Sequence, residues 1–276
     1  MRLDAHQHFW RYDAGQYPWI PVGSPLHRDW LPEDLVKLQK PLGLDGSIAV
    51  QARQSVEESD WLLSLADSHP VVKGVVGWVD LRAPDVAKDL ERLSRHPKFV
   101  GVRHVVQDEP DLNFMLGDAF VRGIGQLAAF NLTYDILIYP QQLPAAIALV
   151  KKFPQQKFVL DHMAKPVIKA HLLEPWSSDL KRLAEHPNVH CKVSGMLTEA
   201  DHHHQTITDF KPYLDIVFNA FTPKRLMFGS DWPVCRFAGE YAQAYGVVEW
   251  YIQRLTSTEQ QAIWGLNAAA FYFNRK

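Results

Sequence analysis

Short apolar runs rich in Val, Ile, Leu and Phe alternate along the chain with longer stretches whose apolar positions recur at helical spacing. The short runs predict eight strands, at 3–8, 47–51, 72–79, 99–106, 132–139, 158–162, 189–194 and 226–231. The longer stretches predict helices at 56–68, 85–96, 141–153, 176–186 and 206–221, with a closing helix over 256–273 that begins on the capping-box pattern Thr256-Ser257-Thr258-Glu259. Strand and helix alternate throughout, at roughly one pair per 35 residues, and eight such pairs are what closes a parallel barrel. The pattern therefore predicts an α/β fold, a (β/α)8 TIM barrel over residues 1–276 as a single domain.

Punctuation agrees with that reading. Pro32-Glu33-Asp34 and Pro84-Asp85 place proline and acids where a helix starts. His69-Pro70, His96-Pro97 and His186-Pro187 each follow an apolar helix and precede a strand, where histidine complements the dipole and proline stops the helix. The long irregular segment is 9–30, with Trp10, Tyr12, Tyr17, Trp19 and Trp30. It leaves the C-terminal end of strand 1, so it is expected to fold over the barrel mouth.

Composition narrows the function. The 276 residues suit one barrel, and 29 basic against 31 acidic residues, with no Lys/Arg stripe, exclude a nucleic-acid partner. No apolar run reaches the ~18 residues of a membrane span. Cys191 and Cys235 are the only cysteines, which excludes a disulfide framework, and the start Met1-Arg2-Leu3-Asp4-Ala5-His6 is not that of a secretion leader, so a cytoplasmic location is expected.

Barrel chemistry sits at strand C-terminal ends. Strand 1 ends in His6-Gln7-His8, whose alternation turns both imidazoles to one side; strand 6 ends in Asp161-His162, and strand 8 in Gly229-Ser230-Asp231 before Trp232-Pro233. Strands 8 and 1 are neighbours in a closed barrel, so three histidines and an aspartate converge on one mouth. Neutral imidazoles with a carboxylate suit a divalent ion such as zinc with an open position for water, and the same groups can also hold water directly.

On these motifs, together with Gly101-Val102-Arg103-His104, Asp161 to Pro166, Lys192-Val193-Ser194-Gly195 and Phe228 to Pro233, the whole chain resembles the amidohydrolase superfamily. It is most similar to the amidohydrolase-2 branch, which contains sugar lactonases acting on L-fucono- and L-rhamnonolactones. Two-metal members use a modified lysine on strand 4 and a histidine on strand 5; here strand 4 ends in Arg103-His104, and strand 5 offers Tyr134, Asp135 and Tyr139. The resemblance thus implies at most one divalent metal, zinc by expectation, held by His6, His8, His162 and Asp231, and it also allows metal-independent hydrolysis.

The expected reaction opens the ester ring of an aldonolactone with an activated water. Asp231 serves as base and then as acid, Arg103 and His162 stabilise the oxyanion, and Gln51, Arg103, Asp135, Trp232 and Trp30 are the candidate substrate contacts. A single-metal decarboxylase or hydratase, and an inactive barrel that binds sugar acids, are the competing readings. The roles of Lys192 and of His202-His203-His204 stay open, and the expected assembly is a homodimer through the barrel helices.

Overall fold

The β-branched runs pair in chain order, each parallel to the next, giving one sheet ordered β1 to β8. The computed structural model describes residues 1–274. The strands are β1 (Leu3–Gln7), β2 (Gly46–Val50), β3 (Val72–Gly77), β4 (Phe99–Val105), β5 (Thr133–Leu137), β6 (Phe158–Leu160), β7 (Val189–Val193) and β8 (Leu226–Phe228). Parallel neighbours require a crossover, and helices such as Val56–Ser68, Val86–Ser94, Leu143–Lys152, Trp176–Ala184 and Lys211–Phe221 provide it. The sheet closes on itself where Gln7 bridges Trp232 and the His8 N–H donates to Trp232 O at 2.7 Å. The result is a single-domain (β/α)8 TIM barrel.

All eight expected strands form, but they stop one to three residues earlier than the apolar pattern. The residues at their ends leave the ladder to face the mouth: Asp161–Ala164 forms a tight turn whose backbone is left-handed from His162 on, and Asp231 has a left-handed φ of 57°. Helices Asp118–Leu127 and Tyr241–Ile252 were not in the sequence reading. The expected closing helix divides into Ser257–Gln261, a π turn at Ala262–Leu266 and Asn267–Tyr272.

A large apolar core fills the space between sheet and helices. A smaller cluster joins Leu3, Ala5, Ile48, Val50, Val76, Val100, Val159 and Met227 to Ala268, Phe271 and Tyr272 of the C-terminal helix. This cluster packs the barrel beneath the mouth, so the polar groups above it rest on a dry floor. No helix among the described residues is long and apolar enough to cross a membrane.

Candidate active site

Strand β1 shifts register between Asp4 and Gln7. There the His6 N–H donates to Asp4 Oδ1 at 3.0 Å. The same buried carboxylate accepts the Ser230 N–H at 2.9 Å, the Ser230 hydroxyl at 2.6 Å and the Tyr241 hydroxyl at 3.0 Å. Burial pushes Asp4 up to about 6 although these donors pull it down. One aspartate thus ties β1 to the end of β8 and brings His6 beside Asp231. Gly229 is needed for this approach, because a Cβ there would lie 2.7 Å from that of His6.

His162 arrives differently. Residues His162, Met163, Ala164 and Lys165 all have φ between 49° and 59°, a left-handed turn that costs L-residues roughly 1–2 kcal/mol each. Burial and the Trp176 indole, which donates to Met163 O at 2.7 Å, hold it in place. The ring's Nδ1 lies 2.9 Å from Ser194 Oγ, and Gly195, at φ 66°, leaves room for it, since a Cβ there would meet Nδ1 at 2.6 Å.

These devices bring the imidazoles around one carboxylate oxygen. Asp231 Oδ1 is 3.7 Å from His6 Nε2, 3.4 Å from His8 Nε2 and 3.6 Å from His162 Nε2, and the two strand β1 Nε2 atoms are 3.1 Å apart. His6, His8 and Asp231 therefore present three donor atoms at separations close to the ~3.3 Å edge of a tetrahedron with 2.0–2.1 Å zinc bonds. The His8 Nδ1 lies 2.8 Å from Val50 O, so its proton sits there and its Nε2 is free to ligate. The donor set fits a divalent ion. Of the four expected ligands, His162 faces Asp231 Oδ1 with its Nε2 at 3.6 Å but stands outside this close group, and lies in a second one with His6 and Asp161. Burial, first of all, holds His6 and His162 well below the usual histidine range, so both are neutral at pH 7. Burial pushes Asp231 up, but His162 and His8 outweigh it, and the carboxyl lies below its ordinary value.

A charge network lies alongside. Arg103 Nη1 donates to Asp161 Oδ2 at 3.1 Å and lies 3.3 Å from His6 Nε2, while Nη2 donates to Gln51 O at 2.5 Å and to Gln51 Oε1 at 3.2 Å. Its buried Nε has no partner. Lys192 Nζ donates to Asp135 Oδ2 at 2.5 Å and lies 2.9 Å from Asp161 Oδ1. Tyr272 donates to Asp135 Oδ2 at 2.9 Å. Burial pushes Asp135 up to about 6 against the pull of Lys192; for Asp161, burial is outweighed by Lys192, His6 and Arg103, and its carboxyl lies well below the carboxylate range.

The donor set opens into a cavity of about 480 Å³. His8, His162, Asp231 and Arg103 line it, with Trp19, Leu137 and Phe237 as apolar wall. A depression of about 540 Å³ beside Arg2, Tyr245 and Trp264 lies near the start of β1, at the opposite end from these groups. Of the expected substrate contacts, Arg103 lines the 480 Å³ cavity. Gln51 is buried behind Arg103, and Asp135 is committed to Lys192 and Tyr272. Trp30 and Trp232 pack edge-on to each other, 5.2 Å apart, outside the lining. Gln16, Gln54, Gln107, Asp108 and Lys165 line the cavity and are not among the candidate residues read from sequence; all lie after strand ends, Gln16 within segment 9–30 and Lys165 within the Asp161 to Pro166 motif. His202, His203 and His204 are exposed and belong to no potential metal group among the described residues.

Segment 9–30 is anchored rather than loose. Trp10 and Trp30 bridge each other, and the Tyr17 hydroxyl donates to buried Glu58 at 3.0 Å, whose other oxygen accepts the N–H groups of Ala52 and Arg53. Burial pushes Glu58 up to about 7 from the usual 4.5. The fold thus favours protonated Glu58, so its contribution to stability is fullest below pH 4.5 and falls as pH rises to about 7. The loss is of order 3 kcal/mol. Glu58→Gln imitates the protonated acid, and its stability relative to wild type, read from urea midpoints, is expected to rise between pH 5 and 8. A constant difference across that range would contradict the assignment.

Comparison with known proteins places this geometry in a family. The amidohydrolase family model matches residues 3–273. An L-fucono-1,5-lactonase from Burkholderia multivorans is 42% identical over 284 residues, covering 99% of this chain and 96% of its own. A second L-fucono-1,5-lactonase, from Burkholderia ambifaria, is 37% identical and covers 98% and 95%. A crystal structure of a Burkholderia multivorans amidohydrolase with bound zinc superposes with a TM-score of 0.93 at 42% identity, over 99% of both chains. The barrel, the histidine and aspartate set at its mouth and the match along nearly its whole length agree: this chain belongs to the amidohydrolase family.

Proposed function

We propose that this protein hydrolyses a sugar-derived lactone, with an L-fuconolactone as the leading substrate. The observation that carries the reading is a carboxylate oxygen within 3.4–3.7 Å of three imidazole Nε2 atoms beside a cavity of about 480 Å³, a volume suited to a small-molecule substrate. The similarity to two L-fucono-1,5-lactonases supports it.

In the mechanism that follows, a water beside His8, His162 and Asp231 loses a proton to the Asp231 carboxylate as its oxygen attacks the lactone carbonyl carbon. Arg103 stabilises the developing oxyanion through its unspent Nε–H, already desolvated, while three hydrogen bonds to Asp161 and Gln51 hold the guanidinium. The carbon to ring-oxygen bond then breaks, and Asp231 returns the proton to that oxygen, leaving a hydroxyl and a carboxylic acid that ionises in water. One divalent ion, zinc in this reading, would be held by His6, His8 and Asp231 and would supply Lewis acidity to the attacking water. Gln54, Gln107, Asp108 and Lys165 meet the sugar hydroxyls.

Residues 9–30 cover the mouth and contribute Gln16 and Trp19 to its wall. Trp19 is 41% exposed, so it offers a ring face to the sugar. Trp19→Ala is expected to raise KM roughly tenfold with a smaller effect on kcat. A cytoplasmic setting accords with Cys191 and Cys235, both buried and free.

The reaction is tested by opening L-fucono-1,5-lactone in 18O water. One 18O in the product carboxylate is expected, from attack at the acyl carbon; label in the hydroxyl, or no ring opening, would reject the mechanism. Metal analysis is expected to return one zinc per chain, lost in His8→Ala.

A further inference from the structure

Lys192 takes no part in the reaction above, yet it is fully buried at the centre of the barrel. Its ammonium has three N–H groups and faces three acceptors: Asp135 Oδ2 at 2.5 Å, Asp161 Oδ1 at 2.9 Å and His6 Nδ1 at 3.1 Å. The same His6 Nδ1 is 3.3 Å from Asp161 Oδ1, the buried oxygen that also faces Lys192. A donor, Lys192, and an acceptor, Asp161 Oδ1, therefore face one ring nitrogen.

The other edge of the ring has a matching ambiguity. His6 Nε2 is 3.1 Å from His8 Nε2. The His8 Nδ1 must donate to the Val50 carbonyl 2.8 Å away, because a carbonyl only accepts, so His8 offers a lone pair at Nε2. A neutral imidazole carries one proton, and two placements are open to His6, neither of which suits every neighbour, since Arg103 Nη1 also lies 3.3 Å from Nε2 and loses an acceptor there when Nε2 is protonated. With the proton on Nε2, His6 donates to His8 and its Nδ1 accepts from Lys192. With the proton on Nδ1, His6 donates to Asp161 Oδ1, and its Nε2 lone pair joins those of His8 and Asp231 around a shared point.

We propose that His6 exchanges between these tautomers, and that Lys192 is the positioning residue that holds the Nε2–H form until a divalent cation at His6, His8 and Asp231 selects the Nδ1–H form. The exchange takes a proton from Nε2 to solvent and returns one to Nδ1, so the charge of the ring and of Lys192 is unchanged. It rests on the reading of this site as a divalent cation site. Cation binding must give up the Lys192 contact to His6, so the affinity is lower than the donor set alone would give. Contacts of this kind behind a ligating histidine alter affinity about 10- to 100-fold.

The test uses the full-length wild-type protein with 15N-labelled histidine, stripped with a chelator and then loaded with zinc at one fixed pH, the His6 signals being assigned with His6→Gln. The expected result is a proton on Nε2 without zinc and on Nδ1 with zinc. The same tautomer in both states, or no zinc binding, would overturn the proposal. In Lys192→Met, chelator competition is expected to show zinc held about tenfold more tightly. Unchanged or weaker binding in the folded variant would also overturn it, and wild-type NMR decides if that variant does not fold. Lactone turnover separates the two readings: an active enzyme whose His6 does not exchange refutes only this proposal, and exchange in a protein inert to lactones refutes only the hydrolase.

Discussion

Asp231→Asn is expected to lower kcat on an aldonolactone by about 10²–10⁴, the range for losing a positioned general base. The substitution keeps the shape of the side chain but removes the acceptor for the proton of the attacking water, and with it the donor that protonates the leaving ring oxygen. Because Asp231 is held below the ordinary carboxylate value by His162 and His8 against the upward push of burial, the wild-type base is ionised across neutral pH. Its activity should therefore fall only as pH drops into the acid range. The Asp231 N–H bond to His6 O, 2.8 Å, is a backbone contact and survives, so circular dichroism and melting should stay close to wild type. A folded Asp231→Asn enzyme with more than a tenth of wild-type kcat would remove Asp231 from the mechanism.

Arg103→Met should cost about 10²–10³ in kcat, with little change in KM, because the lost donor acts where charge develops. Fold stability is buffered, since Asp161 keeps Lys192 at 2.9 Å after its Arg103 contact is gone. Arg103→Lys is not expected to rescue: a lysine cannot span Asp161 and both Gln51 oxygens while leaving a further donor toward the cavity. A rise in KM with unchanged kcat would instead make Arg103 a ground-state binding residue. Initial rates over a range of lactone concentrations separate the outcomes.

The barrel was legible from sequence because eight β-branched runs and the stretches between them carry distinct periods. The strand ends were less so. His162 and Asp231 sit in left-handed backbone, which both types enter more often than most residues but too seldom to be predicted, and the hydrogen bonds holding it come from residues outside the turn such as Trp176. Helix Asp118–Leu127 was hidden by Gly123 and Gly125, the first of which lets the helix meet Leu81 O where a Cβ would lie 2.0 Å away. Helix Tyr241–Ile252 buries one face at helical spacing, but its outer face carries Ala242, Gly246 and Trp250, which weakens the apolar–polar contrast along the sequence.

For the site, His6, His8, Asp231 and Arg103 were readable from motif and position. Trp30 was expected on the sugar but packs on Trp232, because its backbone pairs with Trp10 and directs the ring beneath the loop. Lys165 lay within the Asp161 to Pro166 motif without a role of its own, and Asp108 gave no motif signal, since a loop residue reaches a cavity through the path of its loop rather than through its own periodicity. The buried Lys192 was visible as an oddity in strand 7; only the distances to Asp135, Asp161 and His6 give it a role.

The central claim is that this site opens sugar lactones. Proton release followed over a panel of aldonolactones, L-fucono-1,5-lactone among them, tests it most directly, with the protein as purified and after chelation. One proton per ring opened, saturable in lactone and abolished in Asp231→Asn, is the predicted result. Saturable binding without turnover across the panel, or turnover of an unsaturated acid with release of carbon dioxide, would contradict it.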